Sequence, residues 1–172
     1  RGLAPWRTLQ EGVDQVGELV GASSGAGEQR LDLERLASGP ALDELVEQGS
    51  ARAIGCSNFS AEQLAEADDI AASNGKSRFI ALQNQYSLLE RDADEEVLPL
   101  CRERNVGFVT YFPLVSGLLT SKYRRGEAPA EGTRLARGAG ELLSDTTFDE
   151  VDRLAAFAEE RGRSLHELAI AA

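Results

Sequence analysis

The sequence predicts an α/β domain built on parallel strands. Short apolar runs begin near positions 51, 79 and 107, a period of about 28 residues, and one helical pattern fills each gap. Connections of that length are too long for hairpins, so the strands pair in parallel through right-handed crossovers. Two of the three runs are mostly apolar, as strands covered by helices are. Periodicity alone does not separate a closed barrel from an open doubly wound sheet.

The regular pattern starts at Pro40, which suits the first turn of a helix. Leu42, Leu45 and Val46 form its apolar stripe and Gly49 ends it. Ala51–Ile54 reads as the first strand, stopping at Gly55. Ser60 and Gln63 make a capping box for the next helix, which carries Leu64, Ala67 and Ile70 or Ala71 on one face and stops near Asn74-Gly75. Phe79–Leu82 reads as the second strand, ending at Gln83-Asn84. A helix from Ala93 to Glu103 buries Val97, Leu98 and Cys101, and Val106–Tyr111 makes the third strand. Residues 112–146 form a long segment rich in Gly, Pro, Ser, Thr and Arg, of a length that points to function or disorder. Thr147 with Glu150 then caps a helix through Arg161, with Val151, Leu154, Ala155 and Phe157 for its apolar face. Ser164 with Glu167 caps another. Residues 1–39 are a separate segment, glycine-rich around Gly21, Gly25 and Gly27 and helical only weakly, over Thr8–Leu19 and Glu28–Leu36.

Length and charge narrow the function. The chain has 172 residues and no methionine, so it reads as a piece of something longer. A complete eight-stranded barrel typically takes about 250 residues. With 29 acidic and 18 basic residues the net charge is −11, which argues against nucleic acid and against an anionic membrane surface as partners. No apolar run approaches a membrane span. Cys56 and Cys101 lack metal-ligand spacing, and two reduced thiols in a cytoplasmic protein are favoured over a disulfide. No metal site is expected.

Three clusters lie just beyond the expected strand ends: Gly55–Ser60, Gln83–Tyr86 and Tyr111–Gly117. Parallel α/β architectures bind ligands at that edge. Amides, hydroxyls and an aromatic ring suit a neutral, planar, amide-bearing group. They make no general acid/base pair, because no carboxylate or histidine is among them. Downstream, Lys122, Arg124, Arg125, Arg134 and Arg137 stand out in an acidic chain. They suit a phosphorylated ligand, or are ordinary charges on a solvated loop.

The stretches R-A-I-G-C-S-N-F-S, L-Q-N-Q-Y-S-L-L and Y-F-P-L-V-S-G-L-L-T-S-K-Y resemble, in order and spacing, three consecutive signatures of the aldo/keto reductase family. The resemblance covers residues 40–172, with a style closer to bacterial reductases and potassium-channel β-subunits than to mammalian aldose reductases. It implies a fragment of a TIM (β/α)8 barrel that binds NADP(H) across its C-terminal face. By that resemblance Ser57, Asn58 and Gln83 hold the nicotinamide carboxamide, and Tyr111 stacks on the ring. Phe112, Pro113, Leu114, Val115 and Ser116 form the turn past the ribose and pyrophosphate, and Lys122 and Arg134 lie near the phosphates.

The family's catalytic Asp, Tyr, Lys and His come from the preceding half of the barrel, and residues 1–40 contain no Tyr, Lys or His. Tyr86, Tyr111 and Tyr123 all fall in cofactor motifs, so no residue of this chain is assigned as the proton donor. The resemblance implies reduction of a small carbonyl substrate by hydride transfer, with this fragment alone inactive. A non-catalytic NADP-sensing subunit and an inactive remnant are the alternatives. His166 reads as a surface or helix-end residue and Cys56 as a packed thiol. Asp68-Asp69 and Asp94-Glu95-Glu96 read as solvated helix faces.

Overall fold

A computed structural model describes residues 40–137 and 140–171. The expectations for residues 1–39, including the boundary at 39/40, lie outside the described residues. The order is α1 (Pro40–Glu47), β1 (Ile54–Ser57), α2 (Ala61–Ser73), β2 (Phe79–Gln85), α3 (Val97–Arg104), β3 (Gly107–Tyr111), α4 (Asp145–Glu159) and α5 (Leu165–Ala171). Short 3-10 turns occupy Asp92–Asp94, Val115–Thr120, Leu135–Arg137 and Gly140–Leu143. The strands form one parallel sheet in the order β1-β2-β3, the expected α/β arrangement. The described chain divides into two compact units. One runs to Asn84 and adds Glu95–Val109; the other takes Gln85–Asp94 and the chain from Thr110 onward.

The first unit holds most of the sheet. Its core is Cys56, Phe59, Leu64, Ala67, Phe79, Leu82, Cys101 and Val106, with Leu42, Ile54 and Val97 packed against it. Leu64, Ala67 and Ala71 are buried one helical face apart on α2, as their spacing predicts. Both halves of its capping box form: the Ser60 hydroxyl accepts from the Gln63 N–H, and the Gln63 side chain accepts from the Ser60 N–H. On α3, Cys101 is buried while Val97 and Leu98 are half-buried. That helix is shorter than its pattern suggests, since Asp92–Asp94 form a separate 3-10 turn.

Two strand ends differ from the sequence reading. The first strand begins where it was expected to stop, and runs through Gly55 and Cys56 to Ser57. The second continues through Gln83 and Asn84 to Gln85. Gly55 therefore marks a close approach rather than a turn. A Cβ there would lie 2.9 Å from the Ala81 carbonyl oxygen, on the neighbouring strand. The β1–β2 register is irregular at this point, between Ile54 and Gly55. Gly55→Ala is expected to force the strands apart and lower stability by about 1–3 kcal/mol, read from the urea midpoint.

Asp68, expected on a solvated face, is not on one. It is buried on α2 and accepts from Arg78 Nε and Nη2 and from Arg104 Nη1. Burial pushes its carboxyl up, but the two guanidinium groups outweigh that and hold it below the usual range. Asp69 beside it is exposed and pairs with Arg104 at 2.6 Å. Asp43 on α1 is also buried, accepting from Lys76 Nζ at 2.7 Å and the Ser77 N–H at 2.8 Å. Those bonds hold its carboxyl down, to about 2.

The second unit has its own core of Leu118, Leu119, Phe148, Val151, Leu165 and Ala169. The long loop is thus no uniformly solvated segment: Leu118 and Leu119 are among the most buried side chains described. The cap of α4 is Ser144, whose hydroxyl accepts from the Thr147 N–H. Thr147 is inside the helix. Phe157 is exposed, and the Arg161 guanidinium covers its ring at 3.5 Å from the centroid. On α5, Glu167 reaches back to the Ser164 N–H and hydroxyl at 2.8 and 2.6 Å, and His166 is exposed.

Candidate functional site

In the first unit, three of the candidate residues meet at one carbonyl. The parallel register sets Ser57 opposite Gln83. The Ser57 hydroxyl donates to the Gln83 carbonyl at 2.8 Å, and the Asn58 N–H donates to the same oxygen at 3.0 Å. Asn58 sits at φ 60, a left-handed conformation that asparagine tolerates better than most residues. The chain can therefore turn sharply off β1 with both groups still on β2. The Gln83 side chain is exposed and has no hydrogen bond among the described residues. Its amide keeps a donor and an acceptor, and the Ser57 oxygen, having given its proton, still accepts. That donor and acceptor set fits a carboxamide.

Cys56, between Gly55 and Ser57, is buried, and its thiol lies 3.9 Å from the Ala81 carbonyl. Burial, with a smaller push from Cys101, raises the thiol to about 12. A thiol so placed packs and does not attack. Both cysteines are free thiols. Asn84 is a residue to which the sequence assigns no separate role. Its Nδ2 donates to the Phe59 carbonyl at 2.9 Å, across the same turn. The signal was present in the Q-N-Q run, but an amide at a strand end does not announce its partner.

In the second unit, Tyr111 ends β3 and its carbonyl accepts from the Tyr86 N–H at 3.4 Å. Its ring meets Phe112 edge-on, with centroids 5.4 Å apart. Arg134 lies over the Phe112 ring at 5.7 Å. Pro113 and Leu114 follow, half-buried, and lead into a tightly wound turn. Phe112, Val115 and Ser116 all have positive φ, near 57, 48 and 56, followed by Gly117 at 96. For the β-branched Val115 this is a costly conformation, of the kind that surrounding structure must hold in place. Tyr123 helps to hold it, its hydroxyl donating to the Ser116 carbonyl at 3.3 Å. Lys122 is exposed, its ammonium 5.7 Å from the Tyr123 ring centroid.

The basic residues of the loop are not equivalent. Arg125 is spent within the chain, on Asp145, Asp149 and Asp152 at 3.4, 2.6 and 3.1 Å. Lys122, Arg124 and Arg134 are exposed, while the Arg137 side chain lies outside the described residues. Tyr86 is also committed: it is buried, and its hydroxyl donates to Asp94 at 2.8 Å. A cleft of about 470 Å³ elsewhere in the first unit is lined by Arg52, Lys76, Arg78 and Arg104. Three of those four cations are already paired, with Asp43, Asp68 and Asp69. It is a poor anion site. Among the described residues there is no His/Cys/Asp/Glu group able to hold a metal.

Comparison with known proteins gives consistent matches. The Aldo/keto reductase family pattern matches residues 30–171. Versiconal hemiacetal acetate reductase from Aspergillus parasiticus is 32% identical over 135 residues, covering 76% of this chain and 39% of that protein. A probable voltage-gated potassium channel subunit beta from Oryza sativa subsp. japonica is 35% identical over 76% of this chain and 42% of its own. The glycerol dehydrogenase structure from Gluconobacter oxydans superposes with a TM-score of 0.65 at 25% identity, over 84% of this chain and 42% of that one. The chain thus spans about two fifths of the length of these relatives. With three parallel strands matching part of that barrel, and the family pattern running through every described element, this chain belongs to the aldo/keto reductase family.

Proposed function

We propose that this chain is the cofactor-holding part of an NADP(H)-dependent reductase acting on small-molecule aldehydes or ketones. The observation that carries the reading is the convergence on the Gln83 carbonyl, which fixes the Ser57 hydroxyl and the Asn58 backbone beside an unspent Gln83 amide. In this reading Ser57, Asn58 and Gln83 hold the nicotinamide carboxamide, and Tyr111 lies against the ring. Phe112, Pro113, Leu114, Val115 and Ser116 wrap the ribose and pyrophosphate. Lys122 and Arg134 neutralise phosphate charge, including the 2′-phosphate that distinguishes NADP from NAD. When bound, NADPH supplies the hydride that reduces the carbonyl carbon. The residues of this chain bind and orient, which is the protein's part in cofactor chemistry. None of them is assigned the proton transfer: the Tyr86 and Tyr123 hydroxyls are already bonded within the chain.

Free cysteines support a reducing, cytoplasmic setting, and no helix among the described residues is long and apolar enough to cross a membrane. The similarity to a plant channel β-subunit favours a second reading, an NADP-sensing regulatory subunit. Fluorescence titration with NADPH tests the cofactor assignment common to both. Gln83→Ala and Tyr111→Ala are each expected to weaken binding by about tenfold or more, since each removes a direct contact. No binding by the unaltered chain, or binding indifferent to both changes, overturns it. An upstream Tyr and Lys in the intact gene favours the enzyme over the sensor.

A further inference from the structure

We propose that Asn84 is a positioning residue for the nicotinamide end of the site, acting through the Asn58-Phe59 turn. The inference rests on the cofactor reading above and deepens it. The turn is held to β2 at two adjacent residues. On one side, Gln83 accepts from the Ser57 hydroxyl and the Asn58 N–H. On the other, the Asn84 Nδ2 donates to the Phe59 carbonyl at 2.9 Å. The Asn58 N–H belongs to the Ser57-Asn58 peptide and the Phe59 carbonyl to the Phe59-Ser60 peptide, so the Asn58-Phe59 pair is pinned at both ends, with Asn58 in its left-handed conformation at φ 60. A carbonyl can only accept, so the Asn84 atom facing Phe59 must be its NH2 group.

The rest of Asn84 argues that this bond is its purpose. The Oδ1 atom is buried and has no hydrogen-bond partner among the described residues. An orphaned buried acceptor is unfavourable, and an apolar side chain would avoid it. The compensating contact of Asn84 is the tether. Phe59 itself needs no help to stay packed: its ring is 2% exposed and meets Phe79 edge-on at 6.0 Å. What the tether adds is the orientation of the Phe59-Ser60 peptide, which closes the turn that begins at Ser57 and Asn58.

The test compares two ligands on the 172-residue chain: NADPH, and 2′-phospho-ADP-ribose, which keeps the phosphates and lacks the nicotinamide. Binding is measured by calorimetry for the unaltered chain, Asn84→Ala and Asn84→Asp. The aspartate keeps the size of the side chain and removes the donor. Both variants are expected to lose about tenfold in NADPH affinity, the scale of one lost contact, while 2′-phospho-ADP-ribose binds as before. Equal losses for both ligands, or no loss for either, overturn the proposal. If neither variant folds, Asn84 is a residue of the fold and the proposal fails. Should the unaltered chain bind neither ligand, the cofactor reading fails and takes this inference with it. NADPH binding that ignores Asn84 sinks this inference alone.

Discussion

Leu82→Ala is expected to destabilise the chain by about 2–5 kcal/mol. Leu82 has no exposed surface and lies in the cluster with Cys56, Phe59, Leu64, Phe79 and Cys101. Truncation removes transfer free energy and leaves a cavity that parallel strands cannot readily close, because both are fixed by their ladder. Leu82 stands opposite Cys56 in the register, one residue before the Ser57–Gln83 pair. The variant should therefore show a lower urea midpoint and weaker NADPH binding together. Leu82→Met, which nearly keeps the volume, should cost less than about 1.5 kcal/mol. Equal midpoints for Leu82→Ala and the unaltered chain would show that the cluster around β2 contributes little to stability.

The contrast between Leu82 and its neighbours shows what could be read from the sequence. Leu64, Ala67 and Ala71 repeat at helical spacing behind a capping box, so α2 was legible to the residue at its start. Strand ends were not. Gly55 looks like a stop because glycine favours turns, yet its role is to let β1 pass the Ala81 carbonyl. Gln83 and Asn84 look like loop residues because they are polar, yet they stay in the strand up to its C-terminal end. The burial of Asp68 is hidden from the sequence for another reason. Its partners stand 10 and 36 residues away, and no local pattern joins a carboxylate on α2 to Arg78 and Arg104. Leu118 and Leu119 sit in a segment with little periodicity, and their burial arises from packing with α4 and α5 residues. The candidate site residues follow from motif resemblance. The hydrogen bonds that hold Ser57 and Asn58 in place follow from register, which one sequence does not disclose.

Replacing both Arg78 and Arg104 with alanine is expected to cost about 3 kcal/mol at neutral pH. The lower end of the range for a broken buried pair applies, because Arg78 is 47% exposed and solvent stands close by. The loss has a distinctive pH dependence. In the unaltered chain the guanidinium groups hold the folded Asp68 carboxyl below its unfolded value. Its contribution is therefore complete above the unfolded value, near 3.8, and disappears as pH falls through the folded one. Asp43, lowered to about 2, loses its own contribution over the same descent. Without the arginines, burial alone acts on Asp68 and lifts its folded value above the unfolded one. Stability then improves on protonation, because the bare buried charge is removed. The two chains should thus differ most near pH 7 and converge as the pH drops through 4, when each is unfolded by urea at a series of pH values. A difference that stays constant from pH 7 to pH 3 would place the cost in the lost packing of the arginine stems, and not in the uncompensated carboxylate.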